Sequence, residues 1–169
     1  MVAALSEDWE EAYAHAKRAQ QGSTSFYVPE AFFLYYHEVE ALLRGGDEKS
    51  AREQMRRFAR RAEANERERI AYLRSLAVLS EFEGDTKRAI EHLREARALA
   101  EKIGLPKELW QIQSRIGELH ERRGETREAR QAFSIAAQTL STLAQKIGDE
   151  ELREGFLSAP QVRRVLGRR

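Results

Sequence analysis

The sequence predicts an all-α protein built from stacked, antiparallel helix pairs and closed by a C-terminal helix. Three observations carry this. First, Gly84-Asp85-Thr86-Lys87-Arg88-Ala89, followed by Leu93 and Ala96, reappears as Gly124-Glu125-Thr126-Arg127-Glu128-Ala129, followed by Phe133 and Ala136. The offsets from glycine, five, nine and twelve, are the same in both, and the copies lie 40 residues apart. Second, Gly46 starts another copy 38 residues before Gly84, with Ala51, Met55 and Phe58 at the same offsets. A period of 20–50 residues marks an array of like units, each unable to bury its apolar face alone. Third, only 3 prolines interrupt the 169 residues.

Each copy has a physical reading. Small or apolar residues spaced by four and three share one helix face. A glycine ahead of an acidic or hydroxyl residue ends one helix in the left-handed conformation, and the next residue caps the following helix. Each copy is therefore a helix, a tight turn and a returning helix. Alanines such as Ala89 and Ala96 let backbones approach closely. Lys102-Ile103-Gly104 after one copy is echoed by Lys146-Ile147-Gly148 after the next.

In chain order, Trp9 to Ala19, with Ala12, Ala16 and Ala19 in the places of Ala89, Leu93 and Ala96, fits the second helix of a half repeat spanning 7–20. The stretch from Met1 to Ser6 is too short for a first helix, so the chain reads as a piece of a longer protein; the alternative is a natural short protein with a degenerate first repeat. Lacking its partner, this helix is expected to be covered by residues 26–36 or by a second copy, giving a homodimer through the N-terminal edge. A polar linker leads to Pro29, suited to a first helical turn, and a helix is expected from Pro29 to Arg44. Asp47 caps the next helix, completing a repeat over 29–63. Asn65, with Glu68 three residues on, resembles a capping box and opens a repeat over 66–103 whose first helix carries Ile70, Leu73, Leu76, Ala77 and Phe82. Gly104-Leu105-Pro106 separates it from a repeat over 107–147. Asp149 caps the first of the closing helices, 149–167. Ser158-Ala159-Pro160 interrupts them, and Val162, Val165 and Leu166 supply the edge that covers the last repeat.

These residues resemble the tetratricopeptide repeat family. Gly117, Gly124, Ala129, Phe133 and Ala136 fall on family positions in the last repeat, and Leu76, Ala77, Gly84, Ala89 and Ala96 in the one before, with Leu93 for the usual aromatic. The chain departs where the family has Trp (Gln113, Leu73), Tyr (His120, Ser80) and a terminal Pro (Ser141, Glu101). The family's period is about 34 residues, so the resemblance is to its long-helix variety, found in bacterial signalling ATPases, cyclase fusions and transcription activators. It implies one right-handed solenoid over 1–169. It also implies a protein-interaction scaffold, a regulatory region of a larger signalling or transcription protein, whose partner is a protein, a peptide or another domain of that protein.

First helices line the concave wall of such a stack. Residues offset by one from the packing positions face outward into it: Phe33, Tyr36 and Glu40; Arg74, Val78 and Glu81; Gln111, Ser114 and Glu118. An alternative is a small-ligand sensor whose pocket is lined by the aromatic group Phe26, Tyr27, Phe32, Phe33, Tyr35 and Tyr36.

Other chemistry finds little support in the sequence. Lys+Arg 29 and Asp+Glu 28 give +1, no global field for nucleic acid or an acidic membrane. Cysteine is absent, so disulfides and thiolate metal sites are excluded. His15, His37, His92 and His120 contain no i, i+4 pair. Gly45-Gly46 lacks the Lys-Ser/Thr of a phosphate loop, and no serine has a base placed by a motif. No enzyme activity, metal or cofactor is expected. No apolar run of 18 residues or signal peptide is visible, which favours the cytoplasm. Arg56-Arg57 and Arg60-Arg61 are the densest basic cluster, of a kind that suits nucleic acid or an acidic protein, and a nucleic-acid-binding helical array is the third reading; the stronger expectation is that they pair with Glu63, Glu66 and Glu68.

Overall fold

The computed structural model describes residues 8–21 and 35–168. Among them the regular structure is helical throughout: α1 (Trp9–Gln21), α2 (Tyr35–Arg44), α3 (Glu48–Ala62), α4 (Glu66–Phe82), α5 (Thr86–Lys102), α6 (Pro106–Arg122), α7 (Thr126–Gln145), α8 (Glu150–Ser158) and α9 (Pro160–Leu166). The helix expected from Pro29 is described from Tyr35 onward; residues 29–34 lie outside the described residues. The chain divides into two compact units, one ending at Ala96 and the other beginning at Arg97.

Among the described residues one turn recurs four times. In each, a glycine takes a positive φ: 79° at Gly46, 83° at Gly84, 71° at Gly104 and 74° at Gly124. Around Gly84, the Asp85 N–H donates to the Ser80 carbonyl at 2.8 Å and the Gly84 N–H to the Glu81 carbonyl at 3.0 Å. Around Gly124, the Glu125 N–H reaches the His120 carbonyl at 2.9 Å and the Gly124 N–H the Glu121 carbonyl at 2.9 Å. This 6→1 plus 5→2 pairing satisfies the last carbonyls of the helix. It holds residue C′ in the left-handed region, where a Cβ costs roughly 1–2 kcal/mol. The echo of Gly104 by Gly148 stops at the sequence: Gly148 has no positive φ.

The aspartates after two of these turns, and Asp149 after Gly148, cap the next helix, whereas Leu105 and Glu125 make no side-chain cap. Asp47 Oδ1 accepts the Ser50 N–H at 3.0 Å, Asp85 Oδ1 the Arg88 N–H at 2.9 Å, and Asp149 Oδ1 the Leu152 N–H at 2.9 Å. Asn65 Oδ1 accepts the Arg67 N–H at 2.9 Å, but Glu68 does not complete a capping box, and its buried Oε2 lacks a hydrogen-bond partner.

The residues at offsets five, nine and twelve are the core. Ala51, Met55, Phe58, Ala89, Leu93, Ala96, Ala129, Phe133 and Ala136 are all buried. In the first unit, α2 packs on α1, α3 and α4. Ala12 and Ala16 of α1 join Val39, Leu42 and Leu43 of α2 and the α3 set in one cluster, flanked by Trp9, Tyr13, Tyr72, Leu76, Val78 and Leu79. Ala12 and Ala16 of α1 are thus covered by α2 of the same chain. Lys17 Nζ donates to Asp47 Oδ2 at 2.7 Å, tying α1 to the cap of α3.

In the second unit, α6 and α7 fold back on each other across the Gly124 turn. The approach is close at Gly117, where a Cβ would stand 2.8 Å from the ring of Phe133. Helix α9 packs on α7 and α8, and Val162 and Val165 join Trp110, Ala136, Ala137 and Leu140 in one buried cluster. Arg168 reaches Glu121 at 3.3 Å and Glu118 at 3.9 Å.

Candidate functional site

The expected wall residues fall on three helices. Phe33 lies outside the described residues. In the first unit, Tyr36 and Glu40 stand on α2, and Arg74, Val78 and Glu81 on α4, which packs directly on α2. In the second, Gln111, Ser114 and Glu118 follow one another along α6 at spacings of three and four, which is one helix face.

Tyr36 and Arg74 are brought together. The Arg74 guanidinium lies over the Tyr36 ring, 3.7 Å from its centroid, an arrangement whose attraction grows as water is excluded. Water is excluded here, since Arg74 is only 6% exposed. The Tyr36 and His37 rings lie 3.8 Å apart. Burial, together with the charge of Arg74, lowers the His37 pKa to about 3, so this imidazole is neutral at pH 7. Its buried Nδ1 has no hydrogen-bond partner.

Around this pair, Glu40 accepts from Arg44 Nη2 at 2.9 Å and Nε at 3.1 Å. Arg44 in turn stacks over Trp9, 4.2 Å from the ring. Glu38 accepts from Gln54 of α3, and burial raises its pKa against that hydrogen bond. Val78 is partly buried against the first unit's core, with part of its surface open, and Glu81 is likewise half-covered.

On α6, Gln111, Ser114 and Glu118 are all partly exposed. Glu118 accepts from Arg115 Nη1 at 3.0 Å. This helix presents an amide, a hydroxyl and a carboxylate in succession, groups able to donate to and accept from a peptide backbone.

The remaining histidines have local partners or local burial. His15 is exposed beside Glu11 and Arg18. His120 is buried and meets Glu125 Oε2 at 2.5 Å, while Arg123 Nε donates to Glu125 Oε1 at 2.9 Å. These bonds hold the Glu125 carboxyl below its ordinary pKa, His120 contributing most. Both ring nitrogens of His92 are buried without hydrogen bonds, and burial lowers its pKa. Among the described residues no three potential metal ligands gather in one place. No helix of the described residues is long and apolar enough to cross a membrane.

Within the basic cluster, Arg57 pairs differently from the sequence expectation. Arg52 meets Glu48 and Glu83, each at 2.7 Å, and Arg57 meets Glu53 at 2.7 Å. Lys49, Arg56 and Arg60 are exposed and make no ion pair with a described residue. Sequence reasoning also missed the Arg44–Trp9 stack and the reach of Arg168 to Glu118 and Glu121. Both join residues 35 or more positions apart, and no local spacing signals such a pair. The His120–Glu125 contact did have a signal: the two residues flank the Gly124 turn, which brings positions five apart together.

Comparison with known proteins gives no match, whether to a family model, a curated protein or a solved structure.

Proposed function

We propose that this chain is a protein-interaction module of the tetratricopeptide kind. Its helix pairs stack as a right-handed solenoid and serve as the regulatory region of a larger bacterial signalling or transcription protein. The observation that carries the reading is the fourfold glycine turn with its paired carbonyl bonds, at Gly46, Gly84, Gly104 and Gly124. Repeated helix pairs of this kind present a row of first helices, and such rows are binding surfaces by shape and side-chain complementarity, without chemistry. Val78 and Glu81 on α4, and Gln111, Ser114 and Glu118 on α6, are the partly open side chains through which a partner peptide would be held. Arg74 and Tyr36 are engaged with each other where α4 packs on α2. Pairing of two copies through the N-terminal edge is not part of this reading, because Ala12 and Ala16 of α1 are covered within the chain.

The test is site-specific photo-crosslinking. Benzoylphenylalanine is placed at Gln111, Ser114 or Val78, and separately at Gln138 or Gln131, which are exposed on α7. The chain is then expressed within its parent bacterium. One discrete adduct from the α4 and α6 positions, absent from the α7 positions, supports the reading. Adducts arising only from α7 refute it.

A further inference from the structure

Charge along this chain is segregated. Helix α3 carries Lys49, Arg52, Arg56, Arg57, Arg60 and Arg61 against Glu48 and Glu53, a net +4 in 15 residues. The whole chain carries +1, so the remainder carries −3. The segregation lies on an exposed surface. Ala51, Met55, Phe58 and Ala62 face the core, and the basic residues project on the other side.

Some of this charge is neutralised in place. Arg52 is held by Glu48 and Glu83, and Arg57 by Glu53. Lys49, Arg56 and Arg60 are not, and they share one side of the helix at spacings of seven and four. The row from Lys49 to Arg60 is about 16 Å long at 1.5 Å per residue. Together with Arg52, Glu53 and Arg57 these residues line an open surface hollow.

We infer that this face of α3 is a docking strip for an acidic segment of a partner protein. Arginine suits it because its planar fork grips carboxylates in pairs. A nucleic acid fits less well. A phosphate backbone needs a continuous positive surface, and here Glu48, Glu53 and Glu83 stand among the cations. An acidic peptide can place its carboxylates opposite Lys49, Arg56 and Arg60 and its neutral residues opposite the carboxylates. The strip shares no residue with the α4 and α6 positions named above, so it stands or falls independently of them.

The experiment uses the full chain and a fluorescein-labelled glutamate-rich peptide, read by anisotropy at low and at physiological salt. A glutamine-for-glutamate version of the peptide, a duplex DNA and a single-stranded RNA are run beside it. The glutamate peptide is expected to bind, to weaken with salt, and to outcompete the other three probes. Lys49→Gln/Arg56→Gln/Arg60→Gln should weaken binding about tenfold or more, as three lost charge contacts imply. Lys87→Gln/Arg127→Gln/Arg130→Gln removes the same charge from other exposed positions and should leave the affinity unchanged. Circular dichroism and a melting curve confirm that both variants fold; every substituted side chain is exposed. The inference is overturned if the glutamate peptide does not bind, if the two triple variants weaken it equally, or if either nucleic acid binds more tightly than the peptide.

Discussion

Replacing Gly117 by alanine puts the packing of α6 on α7 to a direct test. A Cβ at this position would stand 2.8 Å from two ring carbons of Phe133 and 3.0 Å from a third. Ordinary contact begins at 3.4 Å, so ring or helix must yield by about 0.6 Å. The ring has little freedom, because Phe133 is 1% exposed and close-packed interiors resist such shifts. Overpacking of this kind costs about 1–3 kcal/mol. Against it, alanine gains about 1 kcal/mol over glycine in a helix interior. The expected net is a destabilisation of about 0–2 kcal/mol. Gly155 on α8 supplies the reference: a Cβ there meets nothing within 4 Å, so Gly155→Ala should stabilise by up to about 1 kcal/mol. Urea unfolding of the two variants should therefore differ by about 1–3 kcal/mol, and Phe133→Leu should recover part of the loss when combined with Gly117→Ala. If Gly117→Ala is as stable as Gly155→Ala, α6 and α7 do not meet at these two residues.

Other expectations follow from the same contacts. Gly124→Ala should lose roughly 1–2 kcal/mol by forcing a Cβ into the left-handed region, seen as a lower melting temperature; an unchanged value would contradict the turn. Deleting residues 149–169 removes Val162 and Val165 from their cluster with Trp110 and Leu140 and should cost about 3 kcal/mol or more, again read from melting. Stability should also fall with acid. The folded pKa of His37, about 3, lies below its ordinary 6.5, so its contribution is complete above pH 6.5 and is lost as the pH falls toward 3. By pH 5 the loss approaches about 2 kcal/mol. His92, also lowered, acts in the same direction. Glu38, raised by burial, opposes it. His37→Asn should flatten the dependence of the urea midpoint between pH 6.5 and 5, and an unaltered slope would contradict the burial of this ring.

The helices and their packing faces were legible because they rest on local rules. A glycine followed by an acidic residue, with small or apolar residues at five, nine and twelve, fixes a turn, a helix start and a buried stripe, and all nine of those stripe residues are buried. The side-chain partners were less legible. Arg74 has the spacing of an outward-facing residue, yet it is buried over Tyr36, because α4 lies against α2 and the guanidinium finds an aromatic face there. The covering of α1 by α2 was open for the same reason: the missing half of the first pair suggested an uncovered face, and only three-dimensional packing shows that Val39 and Leu42 supply it. Of the cluster Arg56, Arg57, Arg60 and Arg61, expected to pair with Glu63, Glu66 and Glu68, Arg57 takes Glu53 instead, while Arg52, outside that cluster, meets Glu48 and Glu83. Two of these pairs are at i, i+4 along α3, and the third depends on tertiary packing that no spacing encodes.

The central claim is that the open residues of the first helices hold a partner. It is tested most directly by measuring the affinity of the crosslinked partner, once purified, for the wild-type chain and for Gln111→Ala/Ser114→Ala, together with the melting temperature of each. The account predicts an affinity about tenfold weaker, or 1.4 kcal/mol, with the melting temperature unchanged. An unchanged affinity in a fully folded variant would contradict it.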